Sequence, residues 1–345
     1  MNALVTGGGG FLGGAIVRLL RQRGDSVRSL ARGDYPGLRD LGVAQIRGDL
    51  ADPEPVRRAV EGADVVFHVA AKAGYWGAFE DFHRINVEGT RHVIAACRAH
   101  GVKRLVYTSS PSVVFDGRDM EGVDESAPYA ERFESPYPAT KAEAERLVLG
   151  ANDADLATVA LRPHLIWGPG DNHLVPRIVA RARAGRLRRL GRRPNRVDSI
   201  YVDNAAEAHL LAADRLAPGA PCAGRAYFLS QGDPRPLWDL VNGILRAAGV
   251  APVARSVPTP VALLGGAAAE AVYRTLRLRG EPPMTRFLAH QLASAHWFNI
   301  DAARRDLGYQ PRVSIEEGLR RLEDWFRRPE PARSGSPSIE VGWTN

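Results

Sequence analysis

Tyr137 and Lys141, near the start of the segment SPYPATKAEAERLVL, are the pair of residues in this chain whose types and spacing best suit catalysis. On a helix, a spacing of four residues places both side chains on one face. An ammonium beside a phenol stabilises the phenolate, so we expect Lys141 to lower the pKa of Tyr137 from its ordinary value of about 10. Such a pair can exchange a proton with a C–O(H) group. The alternative is a surface tyrosine beside a solvated lysine.

Lysine is scarce in this chain, which adds weight to Lys141. Of the 46 lysines and arginines, only Lys72, Lys103 and Lys141 are lysines. Where arginine serves almost everywhere else, a lysine at this place indicates that a compact ammonium is required.

The N-terminal segment MNALVTGGGGFLGGAIVRLLRQRG predicts a short strand, a glycine turn and an amphipathic helix. Gly7, Gly10 and Gly13 have the spacing G-x-x-G-x-x-G, which permits a tight turn and a close approach of the backbone to a pyrophosphate. The free N–H groups at the start of the helix, around Phe11 and Leu12, favour phosphate binding. We therefore expect a dinucleotide-binding turn rather than a merely flexible one.

The end of the second strand, in DSVRSLARGD, bears on which dinucleotide binds. Ala31 stands where proteins that bind NAD carry Asp or Glu for the ribose 2′-hydroxyl, and Arg32 follows, which suits a 2′-phosphate. Asp34 has roughly the right separation from the glycines, but we expect it in the loop. The sequence thus favours NADP(H) as cofactor. NAD(H) is the alternative, in which case Arg32 is simply solvated.

The first half of the chain alternates strand and helix patterns, which indicates an α/β fold with a Rossmann-type, doubly wound parallel sheet. Strands are predicted near residues 44–47, 64–69, 103–108 and 158–162, and helices near 53–60, 79–100 and 137–152. Ligands of such sheets bind at the carboxyl ends of the strands. The candidate residues fall at these ends: the three glycines, Ala31, Arg32, Asp49, Ala70, Ala71, Ser109 and Ser110.

Ser110 ends the apolar strand RLVYTS, so we expect its hydroxyl to face the cleft. There it could hydrogen-bond the substrate oxygen while Tyr137 transfers the proton. Ser109 and Ser112 are alternatives for this hydroxyl, and a serine that only caps the turn before Pro111 is the structural alternative.

Taken together, these motifs resemble the extended short-chain dehydrogenases/reductases over about residues 1 to 328. The matching segments are TGGGGFLG, RGDL, HVAA, NVEGT, YTSSPSV, YPATK and LRPHLIWGPGD. The resemblance implies that Tyr137 is the general acid/base, that Lys141 also holds the nicotinamide ribose, and that Ser110 orients the carbonyl. It further implies cofactor contacts from Asp49, Leu50, Ala70, Ala71, Lys72 and Pro163. The one departure is the missing acid at the end of the second strand.

Within that family, the chain is most similar to the branch of 3β-hydroxysteroid and sterol-4-carboxylate dehydrogenases. AAKAGYWG, PSVVFDGRDMEGVDES, PYPATKAEAE and RPHLIWGPGDNHLVPR resemble the bacterial 2-alkyl-3-oxoalkanoate reductases of long-chain olefin biosynthesis. This implies an NADPH-linked reduction of a long-chain 2-alkyl-3-oxoalkanoate to the 2-alkyl-3-hydroxyalkanoate. Association with enzymes of the same pathway and formation of a homodimer are further expectations. The apolar segments VALLGGAAAEAVYRTL and FLAHQLASAHWF suit an apolar keto acid or sterol-like substrate, and equally suit core packing.

Three other functions use parts of the same pattern. A 3β-hydroxysteroid or sterol dehydrogenase that runs in the oxidative direction shares every candidate residue. A sugar-nucleotide epimerase or dehydratase needs a UDP- or TDP-binding surface, for which the sequence shows no clear signature. A dinucleotide-sensing regulator without catalysis does not need an intact pair of Tyr137 and Lys141.

Nine arginines and no acidic residue lie between Arg177 and Arg196, in a chain with a calculated pI of 9.7. This stretch could bind nucleic acid, anchor a substrate carboxylate or an acidic partner, or be solvated. Because neither interleaved aromatic residues nor a binding motif accompany the charge, no nucleic-acid partner is expected.

The length of 345 residues favours two domains. We expect a dinucleotide-binding domain at 1–165 with about 196–230, a smaller, discontinuous C-terminal substrate domain at about 166–195 with 231–328, and a flexible tail at 329–345. Cys97 and Cys222 show no disulfide or metal pattern, and the histidines occur singly, so no metal site is expected. With no signal peptide before the first strand and no apolar run of membrane-spanning length, the sequence predicts a cytoplasmic protein.

Overall fold

The computed structural model describes residues 1–191, 193–278 and 280–329. Its strands are β1 (Asn2–Thr6), β2 (Ser26–Ala31), β3 (Ala44–Arg47), β4 (Val65–His68), β5 (Arg104–Thr108), β6 (Met120–Val123), β7 (Ala157–Pro163), β8 (Ile166–Trp167), β9 (Arg189–Leu190), β10 (Arg196–Val197), β11 (Ile200–Tyr201), β12 (Arg225–Leu229), β13 (Arg235–Pro236), β14 (Ser256–Val257) and β15 (His296–Phe298).

The α-helices are α1 (Phe11–Gln22), α2 (Pro36–Asp40), α3 (Pro53–Val60), α4 (Phe79–His83), α5 (Gly89–Ala99), α6 (Pro136–Gly150), α7 (Leu174–Arg183), α8 (Val202–Arg215), α9 (Leu237–Ala247), α10 (Thr259–Thr275), α11 (Arg286–Ala293), α12 (Asp301–Leu307) and α13 (Ile315–Arg327). A π-helix, Arg84–Glu88, joins α4 to α5, and a short 3₁₀-helix, Pro111–Val113, follows β5.

Seven parallel strands form the central sheet, in the order β12-β7-β5-β4-β1-β2-β3. The chain moves outward from β1 to β3, returns to β4 beside β1, and moves outward again, so the predicted doubly wound Rossmann-type sheet is confirmed. The strand pairs are in register from their first residues, with Asn2 opposite Ser26 in β1 and β2. The carboxyl ends of all these strands therefore meet at one edge.

The two faces of the sheet carry separate hydrophobic cores because successive side chains of a strand point to opposite sides. In β1, Ala3 and Val5 belong to the core that includes residues of α1 and α8, whereas Leu4 belongs to the core with residues of α3 and α5. Both faces are thus covered by helices, which explains why the central strands are continuous apolar runs.

Local signals in the sequence account for the helix starts. Asp52 caps α3 by accepting a hydrogen bond of 3.1 Å from the Glu54 N–H, and Ser314 caps α13 by accepting one of 3.2 Å from the Glu317 N–H. The single helix predicted near 79–100 is instead interrupted by the π-helix. There the Thr90 hydroxyl donates to the Asn86 carbonyl at 2.6 Å, a local bond that competes with the regular helical ladder.

The second half of the chain builds smaller sheets next to the carboxyl edge of the large one. A four-stranded sheet in the order β13-β10-β15-β6 joins parts of the chain that are distant in sequence, while β8 pairs with β11 and β9 with β14. Helix α8 and strand β12 return to the central sheet, where α8 packs against α1. The predicted domain boundaries stay a prediction.

Three further expectations concern the cysteines, membrane-spanning helices and the C-terminal tail. Cys97 and Cys222 are both buried and unpaired. In the part of the chain that the structure describes, no helix combines the length and the apolar character needed to cross a bilayer. The tail predicted at 329–345 lies, from residue 330 onward, outside the described residues.

Candidate active site

The glycine turn between β1 and α1 is shaped for close contact with a ligand backbone. Gly7 has φ of +72°, and a Cβ added to Gly13 would lie 2.1 Å from the Gly7 carbonyl oxygen. Gly10 precedes α1 without any side-chain cap, so the first N–H groups of the helix, including those of Phe11 and Leu12, lack a side-chain partner. A cradle without Cβ atoms and with free donors fits the pyrophosphate of a dinucleotide.

The loop after β2 holds the residues that would meet the adenosine ribose. Arg32 is exposed, and its guanidinium has no hydrogen bond or ion pair with any described residue, whereas Asp34 is paired with Arg39. The Arg47 guanidinium is close by, because its Nε donates to the Arg32 carbonyl at 3.0 Å. The ring of Tyr35 packs on the glycine turn, where a Cβ on Gly9 would lie 2.3 Å from it.

A buried histidine ties the glycine turn to the rest of the site. The Thr6 hydroxyl oxygen accepts from the backbone N–H groups of Val69 and Ala70 at 3.0 and 3.1 Å, so its own proton points to Nδ1 of His68, 2.9 Å away. The opposite nitrogen, Nε2, then carries the proton and donates to the Thr90 hydroxyl at 3.0 Å. Burial, followed by the nearby Lys141, lowers the pKa of His68 to about 3, so this imidazole is neutral.

Asn86, inside the π-helix, connects the loop after β4 to the start of α6. Its side-chain oxygen accepts from the Lys72 N–H at 2.7 Å, and its side-chain nitrogen donates to the Lys72 carbonyl at 3.1 Å and to the Thr140 hydroxyl at 3.0 Å. Thr140 lies between Tyr137 and Lys141 on α6 and donates to the Pro136 carbonyl at 2.9 Å. Asn86 thereby fixes the first turn of α6 relative to β4.

Tyr137 lies in that first turn, half-buried, next to two hydroxyl groups. Its pKa is raised to about 12, chiefly by burial and then by the Tyr75 phenol, while a hydrogen bond with the Ser110 side chain partly opposes these two effects. Ser110 in turn shares a hydrogen bond of 2.9 Å with the Ser112 hydroxyl. The hydroxyl of Ser109 is buried without a partner among the described residues. The structure therefore brings Ser110, rather than Ser109, to Tyr137.

Lys141 lies one turn further along α6, buried, with its ammonium group beneath the end of β5. Its Nζ donates to the Thr108 carbonyl at 2.5 Å and lies 4.1 Å from the centre of the Tyr107 ring. Burial lowers the pKa of Lys141 to about 7, and Glu145 partly offsets this effect. Glu145 itself is fully buried and is neutralised by Arg162, whose Nη2 lies 2.5 Å from a Glu145 oxygen.

The prediction that Lys141 lowers the pKa of Tyr137 is wrong for the protein without bound cofactor. The amine of Lys141 loses its proton near pH 7, so no ammonium is present at the pH where the phenol ionises. Nor does a hydrogen bond join the two side chains within the described ranges. Desolvation thus decides the titration of both groups.

The other predicted cofactor residues also lie at the carboxyl edge of the sheet. Asp49 follows β3, and one of its oxygens accepts from the Ala51 N–H at 3.0 Å, while Leu50 beside it is buried. Lys72 uses its ammonium for Asp81 at 3.0 Å, and its backbone N–H and carbonyl each share a hydrogen bond with Asn86. Ala70 and Ala71 follow β4, and Pro163 ends β7. Their roles toward a cofactor stay predictions.

The arginines of the arginine-rich stretch are divided among ion pairs, hydrogen bonds to backbone carbonyls and solvent. Arg177 pairs with Glu281 at 2.9 Å, and Arg193 contacts Asp119 at 2.5 Å and Glu121 at 3.4 Å. Arg192, also in this stretch, lies outside the described residues. A surface cavity of about 280 Å³ between α8 and α13 is lined by other arginines and shares no residue with the site around Tyr137. In the described ranges, no group of three or more His, Cys, Asp or Glu side chains is arranged to hold a metal ion.

Sequence reasoning did not assign a role to three residues that shape this site. Asn86 was noticed only as the first letter of NVEGT, although an amide inside a buried helix is itself a signal, because it needs partners. Tyr75 lies in the segment AAKAGYWG, and Arg177 is one of nine arginines in its stretch. The contacts of these two residues are with residues remote in sequence, so no local pattern identifies them.

Comparison with known proteins gives a consistent result. The model of the 3-beta hydroxysteroid dehydrogenase/isomerase family matches residues 4–259. The 2-alkyl-3-oxoalkanoate reductase of Stenotrophomonas maltophilia is 58% identical over 94% of this chain and 98% of its own. The 2-alkyl-3-oxoalkanoate reductase of Shewanella oneidensis is 50% identical over 93% of this chain and 85% of its own. Among solved structures, the UDP-glucose 4-epimerase of Thermus thermophilus in complex with NAD has a TM-score of 0.71 at 27% identity, and the match covers 95% of this chain and 99% of that one.

Proposed function

Because the chain belongs to the 3-beta hydroxysteroid dehydrogenase/isomerase family, we propose that it reduces a long-chain 2-alkyl-3-oxoalkanoate to the 2-alkyl-3-hydroxyalkanoate. It is an oxidoreductase that acts on a C=O or CH–OH group, and its substrate is a small molecule. The observation that carries the proposal is the half-buried phenol of Tyr137, protonated at neutral pH and hydrogen-bonded to the Ser110 hydroxyl at the carboxyl edge of the sheet. The names of the two bacterial relatives supply the keto acid.

The cofactor is a nicotinamide dinucleotide, and we propose NADP(H) rather than NAD(H). The phosphate cradle fits either form, so the choice depends on the loop after β2. Arg32 has an unengaged guanidinium and Arg47 lies beside it, a pair of cations that suits a 2′-phosphate. The acid in the same loop, Asp34, is exposed and pairs through one of its carboxylate oxygens with Arg39.

When bound, the reduced cofactor supplies the hydride that is added to the ketone carbon of the substrate. The residues of the chain bind the ketone oxygen of the substrate and protonate it. Ser110 donates a hydrogen bond that orients the carbonyl, and Tyr137 transfers its phenolic proton to the oxygen as negative charge develops there. With a pKa of about 12, Tyr137 holds this proton at neutral pH and can still give it to an alkoxide, a much stronger base.

After the transfer, the phenolate that remains must regain a proton. Lys141 is one turn away with a pKa of about 7, so it can exchange protons at neutral pH with little cost. Its contact with the Thr108 carbonyl and the Tyr107 ring keeps the amine at a fixed position under the site. Asn86 acts on Tyr137 only through the backbone of α6 and is a positioning residue.

The second candidate is a 3β-hydroxysteroid or sterol dehydrogenase, favoured by the description of the matching family. Oxidation requires Tyr137 to accept a proton, hence to be ionised beforehand, and its raised pKa opposes this state in the protein alone. A cytoplasmic location, a homodimer and association with enzymes of the same pathway stay predictions.

One experiment separates the two candidates. Consumption of NADPH is followed with freshly prepared 2-alkyl-3-oxo acids and with 3-ketosteroids, and the reverse reaction is followed with NADP⁺ and NAD⁺. We expect turnover with the keto acids and preference for NADPH. Turnover limited to steroids would contradict the proposed substrate, and tight NAD⁺ that survives purification would favour an epimerase.

A further inference from the structure

One side chain of the arginine stretch, that of Arg177, is linked through Glu281 to the loop after β4 that carries Tyr75. Arg177 lies in the second turn of α7, a helix whose start is held by Asp171. That carboxylate accepts from the N–H groups of His173, Leu174 and Val175 at 2.7, 3.2 and 2.8 Å. The Arg177 side chain is therefore carried by a firmly anchored helix.

Arg177 forms its ion pair with Glu281, which lies in the loop between α10 and α11. The Nη2 to Oε2 distance is 2.9 Å, and both side chains remain partly exposed, at 47% and 33%. The other carboxylate oxygen of Glu281 lies against the loop after β4, 3.0 Å from where a Cβ on Gly74 would be. The pair thus lies next to Tyr75, the residue that follows Gly74.

Tyr75 links this ion pair to the reacting phenol. Burial raises the pKa of Tyr75, Arg177 lowers it and Glu281 raises it, so its hydroxyl lies in the field of both charges. The same Tyr75 acts on Tyr137. Its position is fixed by the Ser135 hydroxyl, which donates to the Tyr75 carbonyl at 3.0 Å, and by the Phe287 ring at 5.1 Å. Arg177 and Glu281 thus lie at the loop that carries Tyr75, and Ser135 joins this loop to the start of α6, two residues before Tyr137.

The charges at this end of the site do not balance. Arg181, one turn beyond Arg177, is partly desolvated, and its pKa is lowered by burial and then by Arg177. Glu281 is the only acidic partner of Arg177 among the described residues, and the Arg181 guanidinium donates to the Pro283 carbonyl at 3.1 Å rather than to a carboxylate. An additional carboxylate would complete the set, and a guanidinium can bind it in a bidentate manner.

We propose that Arg177 binds the carboxylate of the substrate and so selects 3-oxo acids over neutral ketones. The inference rests on the proposed function, because in a 3-oxo acid the carboxylate is two carbons from the ketone that Tyr137 protonates. In the absence of substrate, Glu281 is the counter-ion of this guanidinium, with which the substrate carboxylate competes. A neutral ketone such as a 3-ketosteroid makes no use of this contact.

The test compares an acid with its methyl ester. Because 3-oxo acids lose CO₂ readily, the stable 2-alkyl-3-hydroxyalkanoate and its methyl ester are oxidised with NADP⁺ by the parent enzyme and by Arg177→Gln. We expect Arg177→Gln to lower kcat/KM for the acid by about 10- to 100-fold, mainly through KM, and to change that for the ester by less than about threefold. Arg177→Lys should restore part of the loss. Arg183→Gln, which removes the same charge from an exposed position on the same helix, is the matched control and should resemble the parent.

The outcomes distinguish a failure of this inference from a failure of the proposed function on which it rests. Equal losses for acid and ester in Arg177→Gln, or an equal loss in Arg183→Gln, would overturn the role of Arg177 while leaving the reductase intact. Glu281→Gln frees the guanidinium, so its KM for the acid should fall or stay constant, and a rise would also overturn it. Failure of the parent enzyme to oxidise acid and ester alike, together with failure to consume NADPH with freshly prepared 2-alkyl-3-oxo acids, would instead reject the proposed function.

Discussion

Lys141 provides the sharpest physical test of this site, because the chain contains only three lysines. Burial moves the pKa of Lys141 from 10.5 to about 7. At 1.36 kcal/mol for each pKa unit, this shift means that the folded protein favours the neutral amine over the ammonium by about 5 kcal/mol more than the unfolded chain does. Between these two values the unfolded chain carries a proton that the folded chain has lost, so the free energy of unfolding rises with pH in this window.

The assay follows from the small number of lysines. Labelling with ¹³C-lysine gives three ε-methylene signals, which Lys72→Arg and Lys103→Arg assign. We expect the Lys141 signal to titrate near pH 7. As a second measurement, Lys141→Met removes the titrating group, so the parent should gain about 2 kcal/mol of stability relative to this variant between pH 7 and pH 9.

Two results would refute the reasoning. A Lys141 signal that titrates near its ordinary value would show that the amine stays charged in the folded protein. A parent and a Lys141→Met variant whose stabilities change in parallel with pH would show the same by an independent route. In either case the proton exchange assigned to Lys141 at neutral pH would fail.

The remaining predictions concern the proton donor and the cofactor. Tyr137→Phe should lower turnover by at least about 100-fold with NADPH affinity retained, because only the proton path is removed; steady-state rates and a fluorescence titration check this, and turnover like the parent's would contradict it. Ala31→Asp combined with Arg32→Ala should weaken the preference for NADPH over NADH by about tenfold or more, and a parent that uses both equally would count against the assignment. Gly13→Ala should abolish cofactor binding, since its Cβ would lie 2.1 Å from a carbonyl oxygen of the turn, whereas Gly150→Ala, which meets nothing within 4 Å, should bind normally.

Much of the sheet domain could be predicted because its signals are local. Strand β3 and helix α3 were predicted with the bounds that the structure has, since apolar periodicity and the Asp52 cap lie within a few residues of each element. The glycine turn was also recognisable, because its spacing and its place between strand and helix specify the backbone shape directly.

What the sequence could not provide are contacts between distant residues and the effect of burial. The bond from Lys141 to the Thr108 carbonyl spans 33 residues, and the pair of Arg177 and Glu281 spans 104. A pKa depends on all the surroundings of a group, so the presence of Lys141 four residues away predicted the wrong direction for the pKa shift of Tyr137. The residues of the site were identified, whereas their protonation states were not.

The hydrogen bonds of His68 have one direction, from the amides after β4 through Thr6 and the imidazole to Thr90. A second proton on the ring would point at a hydroxyl whose oxygen already accepts twice. With a folded pKa of about 3 against an ordinary 6.5, His68 opposes protonation, so acidification through this interval withdraws stability from the native state. Since the same imidazole joins Thr6, at the end of β1, to Thr90 of α5, whose hydroxyl donates to the Asn86 carbonyl, protonation of His68 should loosen the glycine turn and the Asn86 contacts together. Protonation of this one buried histidine is therefore expected to lower both the stability of the enzyme and its affinity for the nucleotide.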